Sequence, residues 1–131
     1  MSKITWIVKR ECIGIHNELL AWFGGRAGLR DEALLEAALA RPRQKDACAN
    51  ASLHQLAAAY AAGIIRNHPF IDGNKRTGFT LAVLFLEVNG RDFTAPETEA
   101  AIMTEGLASR EVSKNDYAKW LNPQLISKSR G

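Results

Sequence analysis

A histidine, an aspartate, a glycine, an asparagine and two adjacent cations fall within nine residues, His68-Pro69-Phe70-Ile71-Asp72-Gly73-Asn74-Lys75-Arg76, between two strongly helical stretches. Each type has a defined use around phosphate. Histidine is the ordinary side chain for taking a proton from a hydroxyl at neutral pH, so His68 is the candidate base. A single carboxylate beside phosphates is the usual protein share of a magnesium site, because magnesium keeps water and phosphate oxygens as its other ligands. Asp72 is that carboxylate. A loop that runs straight into a helix leaves several backbone N–H groups unpaired at the positive end of the helix dipole. Gly73 lets the backbone bend there and lets a ligand come close. Lys75 and Arg76 occupy the first helical turn, where cations oppose the dipole. An anion would offset that conflict, and such local conflicts mark functional sites. His68 and Asp72 are four apart, but Pro69 and Gly73 argue against a continuous helix between them, so the pair is not a helix-borne zinc motif.

The segment resembles the signature of the Fic/Doc family, His-x-Phe-x-Asp/Glu-Gly/Ala-Asn-Gly/Lys-Arg. The resemblance continues through Phe23-Gly24-Gly25, Gly28-Leu29-Arg30-Asp31, Leu34-Leu35-Glu36, Ala38-Leu39-Ala40-Arg41-Pro42 and Leu84-Phe85-Leu86-Glu87-Val88-Asn89-Gly90, which look like the Doc (death-on-curing) branch. It implies an all-α fold, a compact bundle of about five to seven helices whose motif loop leads into a buried central helix and holds ATP and Mg2+. Carried over by position, His68 is the base and Asp72 the magnesium ligand. Gly73, Asn74, Lys75 and Arg76 bind and polarise the phosphates, Lys75 and Arg76 with a catalytic share.

Two departures from the adenylylating pattern bear on the reaction. Lys75 stands where those enzymes carry a second small glycine, and Phe79 where a second arginine usually follows. A lysine fills the room an α-phosphate would use and adds a cation. In the Doc branch this change goes with ATP held in reverse, its γ-phosphate presented. The resemblance therefore implies a type II toxin–antitoxin toxin, a protein kinase that phosphorylates a threonine of elongation factor Tu and blocks translation. AMP transfer is one alternative. A non-catalytic anion- or RNA-binding module is another, but aromatic side chains interleaved with a basic patch are missing, and no direct nucleic-acid binding is expected. The family's inhibitory helix motif, Ser/Thr-x-x-x-Glu-Gly/Asn, is also missing, since Ala101 stands four residues before Glu105. Inhibition is expected from a small antitoxin.

The elements that must position this loop follow from apolar spacing. Cys12, Ile13, His16, Leu19, Leu20 and Phe23 recur at three- and four-residue intervals and predict a helix from about Lys9 to Phe23, ended by Gly24-Gly25. Asp31 is the expected N-cap of a second helix, which Pro42 should stop at Arg41. Residues 41–51 then read as an exposed connection, or flap. Ser52 is expected to cap a third helix carrying Leu53, Leu56, Tyr60, Ile64 and Ile65, with a run of small residues that permits close approach to a neighbour. Lys75 to Val88 is apolar nearly all round and reads as a core helix, ended by Asn89-Gly90. Thr94 to Glu97 resembles a capping box before the next helix, and Ser113 to Leu121 gives the last. Residues 3–8 read as a strand or an extended lead-in.

One domain over 1–131 is expected, with a mobile tail at about 127–131. The 131 residues are 47% hydrophobic with a net charge of +3, an ordinary globular composition with a mild preference for anions. The apolar run Phe79–Val88 is too short for a membrane span of about 20 residues. Cys12 and Cys48 read as reduced, buried or half-buried thiols of a cytoplasmic protein. His16 is expected to pack or orient, His54 to sit at the surface or in the flap with no partner that the sequence names, and Trp6, Trp22 and Trp120 to pack in the core or at its edge.

Overall fold

The computed structural model describes residues 3–122 and the backbone of 125–127. It is built from six helices, α1 (Lys9–Phe23), α2 (Glu32–Ala49), α3 (Leu53–Asn67), α4 (Asn74–Val88), α5 (Glu97–Ser109) and α6 (Lys114–Leu121). A short ribbon, β1 (Arg91–Phe93) antiparallel to β2 (Leu125–Ser127), is added to the expected all-α bundle. Of the tail expected to be mobile, only Ser127 falls among the described residues, with its backbone paired to Arg91.

Burial places α3 and α4 at the centre. Nine residues of α3, from Leu56 to Ile65, are buried, and the helix touches α2, α4, α5 and α6. Its small residues bring two neighbours close. A Cβ on Gly63 would stand 3.0 Å from Ala38 of α2, and one on Gly78 of α4 would stand 2.7 Å from Ile65 Cγ1 and 3.0 Å from the Ala61 carbonyl oxygen. Residues 3–8 form an extended lead-in, tied down by hydrogen bonds to α3 and to the end of α4. The Ile7 N–H donates to Tyr60 Oη (2.9 Å), and Thr5 is bracketed by the Asn89 amide through its N–H (2.8 Å) and its carbonyl (2.9 Å).

Asp31 caps α2 as the sequence predicts, and Ser113, read from sequence only as the start of the last helix, caps α6. The Asp31 carboxylate accepts from the Leu34 N–H (3.0 Å) and Ser113 Oγ from the Asp116 N–H (3.0 Å), each satisfying a donor that the helix start leaves free. Gly24, at φ 82, closes α1. Two boundaries differ. The α2 helix runs through Pro42 to Ala49, so 41–51 is not a flap. A proline removes one ladder bond and crowds the preceding turn, yet Pro42 is buried in line with Leu35, Ala38 and Leu39 on the face that meets α3. Tertiary burial outweighs the local penalty. Thr94 does not cap α5, because Pro96 takes the N-cap position and the helix starts at Glu97.

Three side chains also lie elsewhere than expected. Cys12 is buried but Cys48 is exposed, both as free thiols. Trp22 is 77% exposed at the end of α1, while Trp6 packs on Phe85 and Trp120 on Phe79, Phe93 and Tyr117. His54 has a partner, Ser52 Oγ at 3.2 Å from its Nε2. Among the described residues no helix is long and apolar enough to cross a membrane.

Candidate active site

The last turn of α3 delivers His68 into the loop. Its N–H still closes the helix on the Ile64 carbonyl (3.1 Å), but its backbone is left-handed, φ 55 and ψ 52. Pro69 disfavours right-handed helix at the residue before it, which helps to turn the chain out here. The imidazole is exposed.

Three grips hold the loop that follows. Phe70, 1% exposed, is the core anchor and lies flat on the His16 ring, with centroids 3.7 Å apart and planes 8° from parallel. His16 is itself buried, and its Nε2 sits 2.7 Å from the Asp72 carbonyl oxygen. The buried Asn74 side chain reaches back across the turn. Its Oδ1 accepts from the Phe70 N–H (3.0 Å) and its Nδ2 donates to the Phe70 carbonyl (2.9 Å). The segment 28–31 forms the third grip. Arg30 donates from Nε to the His68 carbonyl (2.6 Å) and from its terminal nitrogen to that of Asn67 (2.9 Å), while the Arg30 and Asp31 N–H groups share the Pro69 carbonyl (2.7 and 3.0 Å). Ile71 closes onto the Gly28 carbonyl at 3.0 Å.

Asp72 is exposed, and its two oxygens accept separately, from the Arg26 N–H (3.2 Å) and the Gly73 N–H (2.9 Å). These bonds, Arg26 first, hold its carboxyl below the usual 3.8. Gly73, at φ 79, is the N-cap of α4. The first N–H bonded back along the helix is that of Thr77, to the Gly73 carbonyl (3.0 Å). The N–H groups of Asn74, Lys75 and Arg76 therefore have no intrahelical acceptor. Lys75 Nζ meets Glu105 Oε1 of α5 at 2.7 Å, and the Arg76 guanidinium lies 4.0 Å over the Phe23 ring, a cation–π contact.

His68, Asp72, Gly73, Asn74, Lys75 and Arg76 all line one open cavity of about 1010 Å³ between the end of α1, the start of α4 and α5. That is as large as small-molecule sites become and has room for a nucleotide. Asn74 offers it a backbone N–H rather than its side chain. Phe79 borders the same cavity and packs edge-on against Phe93. The free N–H groups with Lys75 and Arg76 suit phosphate oxygens. Among the described residues no group of three or more His, Cys, Asp or Glu is placed to hold a metal ion by itself. A lone exposed carboxylate held ionised suits an ion that takes its remaining ligands from phosphate and water, as magnesium does.

His16 both packs and orients, as its place on the apolar face suggested. Arg30 falls within the resembling segment Gly28–Asp31, but spacing gives it no role because its partner lies 38 residues away, and Arg26 acts through a backbone N–H, 46 residues from its partner, that any residue but proline would supply. The glycines beside them are the available clue. Gly25 and Gly28 have φ 126 and 118, and a Cβ on Gly25 would stand 3.2 Å from Asp72 Oδ2.

Comparison with known proteins gives concordant matches. The Fic/DOC family model matches residues 6–86, which span all three grips and the motif. The chain is 34% identical over 117 residues to the protein named "Protein kinase doc" of Escherichia phage P1, covering 88% of this chain and 91% of that one. It is 43% identical over 75 residues to "Toxin Doc" of Mycolicibacterium smegmatis, covering 56% of this chain and 58% of that toxin.

Proposed function

The chain belongs to the Fic/DOC family, and on that premise we propose that it is the toxin of a toxin–antitoxin pair, a protein kinase moving the ATP γ-phosphate to a threonine hydroxyl of elongation factor Tu. The observation that carries this reading is Lys75. Its ammonium stands on the groove wall against Glu105, at the start of α4, at the position where the adenylylating Fic pattern has a glycine. The names of the relatives, a protein kinase and a toxin, agree with it.

ATP would bring the phosphoryl group and magnesium would neutralise part of its charge, with Asp72 as the protein's ligand to the ion. His68 takes the proton of the threonine hydroxyl, freeing the oxygen to bond the γ-phosphorus as the bond to the β-phosphate oxygen breaks and ADP leaves. Lys75, Arg76 and the N–H groups of residues 74–76 hold the phosphoryl oxygens, where charge grows. The Phe23 ring steadies the guanidinium of Arg76 through their cation–π contact. Lys75 exchanges Glu105 for phosphate when nucleotide enters. Such an enzyme acts in the cytoplasm, where its substrate is, and is restrained by a small antitoxin.

The test uses ATP labelled in either the γ or the α phosphate, added with the purified chain and magnesium to a translation extract. Label should pass to one protein the size of the elongation factor from the γ position only. Transfer from α alone would make the chain an AMP-transferase, and transfer from neither would remove the catalytic reading.

A further inference from the structure

A second cavity, of about 260 Å³, opens between α2, α3 and α6 and shares no lining residue with the groove. Its charged lining is all of one sign, Arg41 and Lys45 from α2 and Lys114 from α6, with Gln44, Gln55 and Asn115 as neutral polar neighbours. Among the described residues the ion pairs join Lys9 to Glu32 and Glu36, and Lys75 to Glu105, so none of these three cations has a carboxylate. Lys114 is moreover the first residue of α6, at the end of a helix dipole that disfavours cations. Arg66 and Arg110 add potential of the same sign from α3 and the α5–α6 turn. Burial first, and then Arg41, Lys45, Arg66 and Arg110, hold the Lys114 ammonium below its usual 10.5.

Like charges gathered around a concavity without counter-charge destabilise a fold unless an anion joins them. The Gln55 amide oxygen is taken by the Ser52 N–H (2.9 Å), which leaves its NH2 as the available donor. The volume falls below the roughly 300–1,000 Å³ of sites that hold whole small molecules, so it fits a charged group with its waters and not an entire nucleotide.

We propose that the cavity between α2, α3 and α6 is an oxyanion site, separate from the motif groove, that takes a phosphate-class group on Arg41, Lys45 and Lys114. Cys48 lines the same cavity and is exposed, while Cys12 is buried, so alkylation of Cys48 by a neutral reagent reads this site alone. Inorganic phosphate, titrated at constant ionic strength with chloride as the balance, should slow alkylation saturably, by about threefold at twice its dissociation constant. Protection should vanish in the Lys45→Gln/Lys114→Gln double variant and persist in Arg76→Ala. Without phosphate the double variant should melt higher than the wild type, since a repulsion has been removed, and phosphate should no longer raise its melting temperature. That pair of readouts separates loss of the site from loss of the fold. Protection no greater than in chloride alone, protection that survives loss of both lysines, or protection that disappears in Arg76→Ala would each overturn the assignment. Protection by phosphate with none from a phosphothreonine peptide would assign the site to the free group; protection by the peptide at lower concentration than by phosphate would assign it to a phosphate carried by a protein.

Discussion

At His68 the backbone adopts φ 55 and ψ 52, a region that disfavours any residue with a Cβ, and it does so at the residue proposed to be the base. Glycine would take the same conformation without strain. His68→Gly should therefore stabilise the protein by about 1 kcal/mol while abolishing transfer, seen as a higher urea midpoint beside a dead labelling assay. A lower midpoint would mean that the imidazole holds the fold rather than the reaction. Asp72 gives a second measurement at this scale. Its folded value is depressed by the Arg26 and Gly73 N–H groups, so its contribution to stability is fully present above the usual 3.8. The contribution is lost as pH falls below that value through the depressed one. Asp72→Asn should flatten this part of the acid-unfolding profile, measured as melting temperature against pH, and leave the slope above pH 5 unchanged. An unchanged acid limb would show that the two N–H bonds do not favour the ionised form.

Two helical glycines make opposite predictions at the scale of the elements. Gly14 is exposed within α1 with nothing near the place of a Cβ, whereas Gly78 of α4 faces Ile65 and Ala61 at contact distance. Gly14→Ala should stabilise by roughly 0.5–1 kcal/mol, through helix propensity alone. Gly78→Ala should destabilise by about 1–3 kcal/mol by forcing α3 and α4 apart, both read from denaturant midpoints. Equal effects of one sign would mean that the α3–α4 contact gives way without resistance. What the sequence revealed at this scale follows from the range of each interaction. Asp31 and Gly24 act within one turn of their own position, and the motif is contiguous, so the cap of α2, the end of α1 and a set of candidate residues that share one groove are legible in the sequence. Pro42 was misread because the burial that carries α2 past it comes from α3. The three-residue β1 is too short to show alternation, and its partner lies beyond α6. Trp22 looked like packing by type, but it stands at the open end of α1, where no element covers it.

Across the molecule the groove has two sides. His68 ends α3 and the free N–H groups begin α4, two helices that meet closely at Gly78, Ile65 and Ala61; the facing side is α5, which reaches α4 through Glu105 and Lys75. Both partners of that ion pair are more than half exposed, with side-chain exposures of 52% and 67%. Such a pair contributes about 0–1 kcal/mol, so Glu105→Gln should tighten magnesium–ATP binding by up to about fivefold in a calorimetric titration. Weaker binding in the variant would mean that Glu105 steadies Lys75 for the nucleotide instead of competing with it. The grips on the loop have a wider consequence. Arg30 holds the carbonyls of Asn67 and His68, the Asn74 amide holds both backbone groups of Phe70, and His16 meets the carbonyl of Asp72. The shape of the loop is thus written in main-chain atoms, which every residue type possesses. Side chains at His68, Ile71 and Lys75 can be exchanged while the template stays fixed, so one scaffold can be recast for a different transferred group by changing what it displays and leaving alone what it grasps.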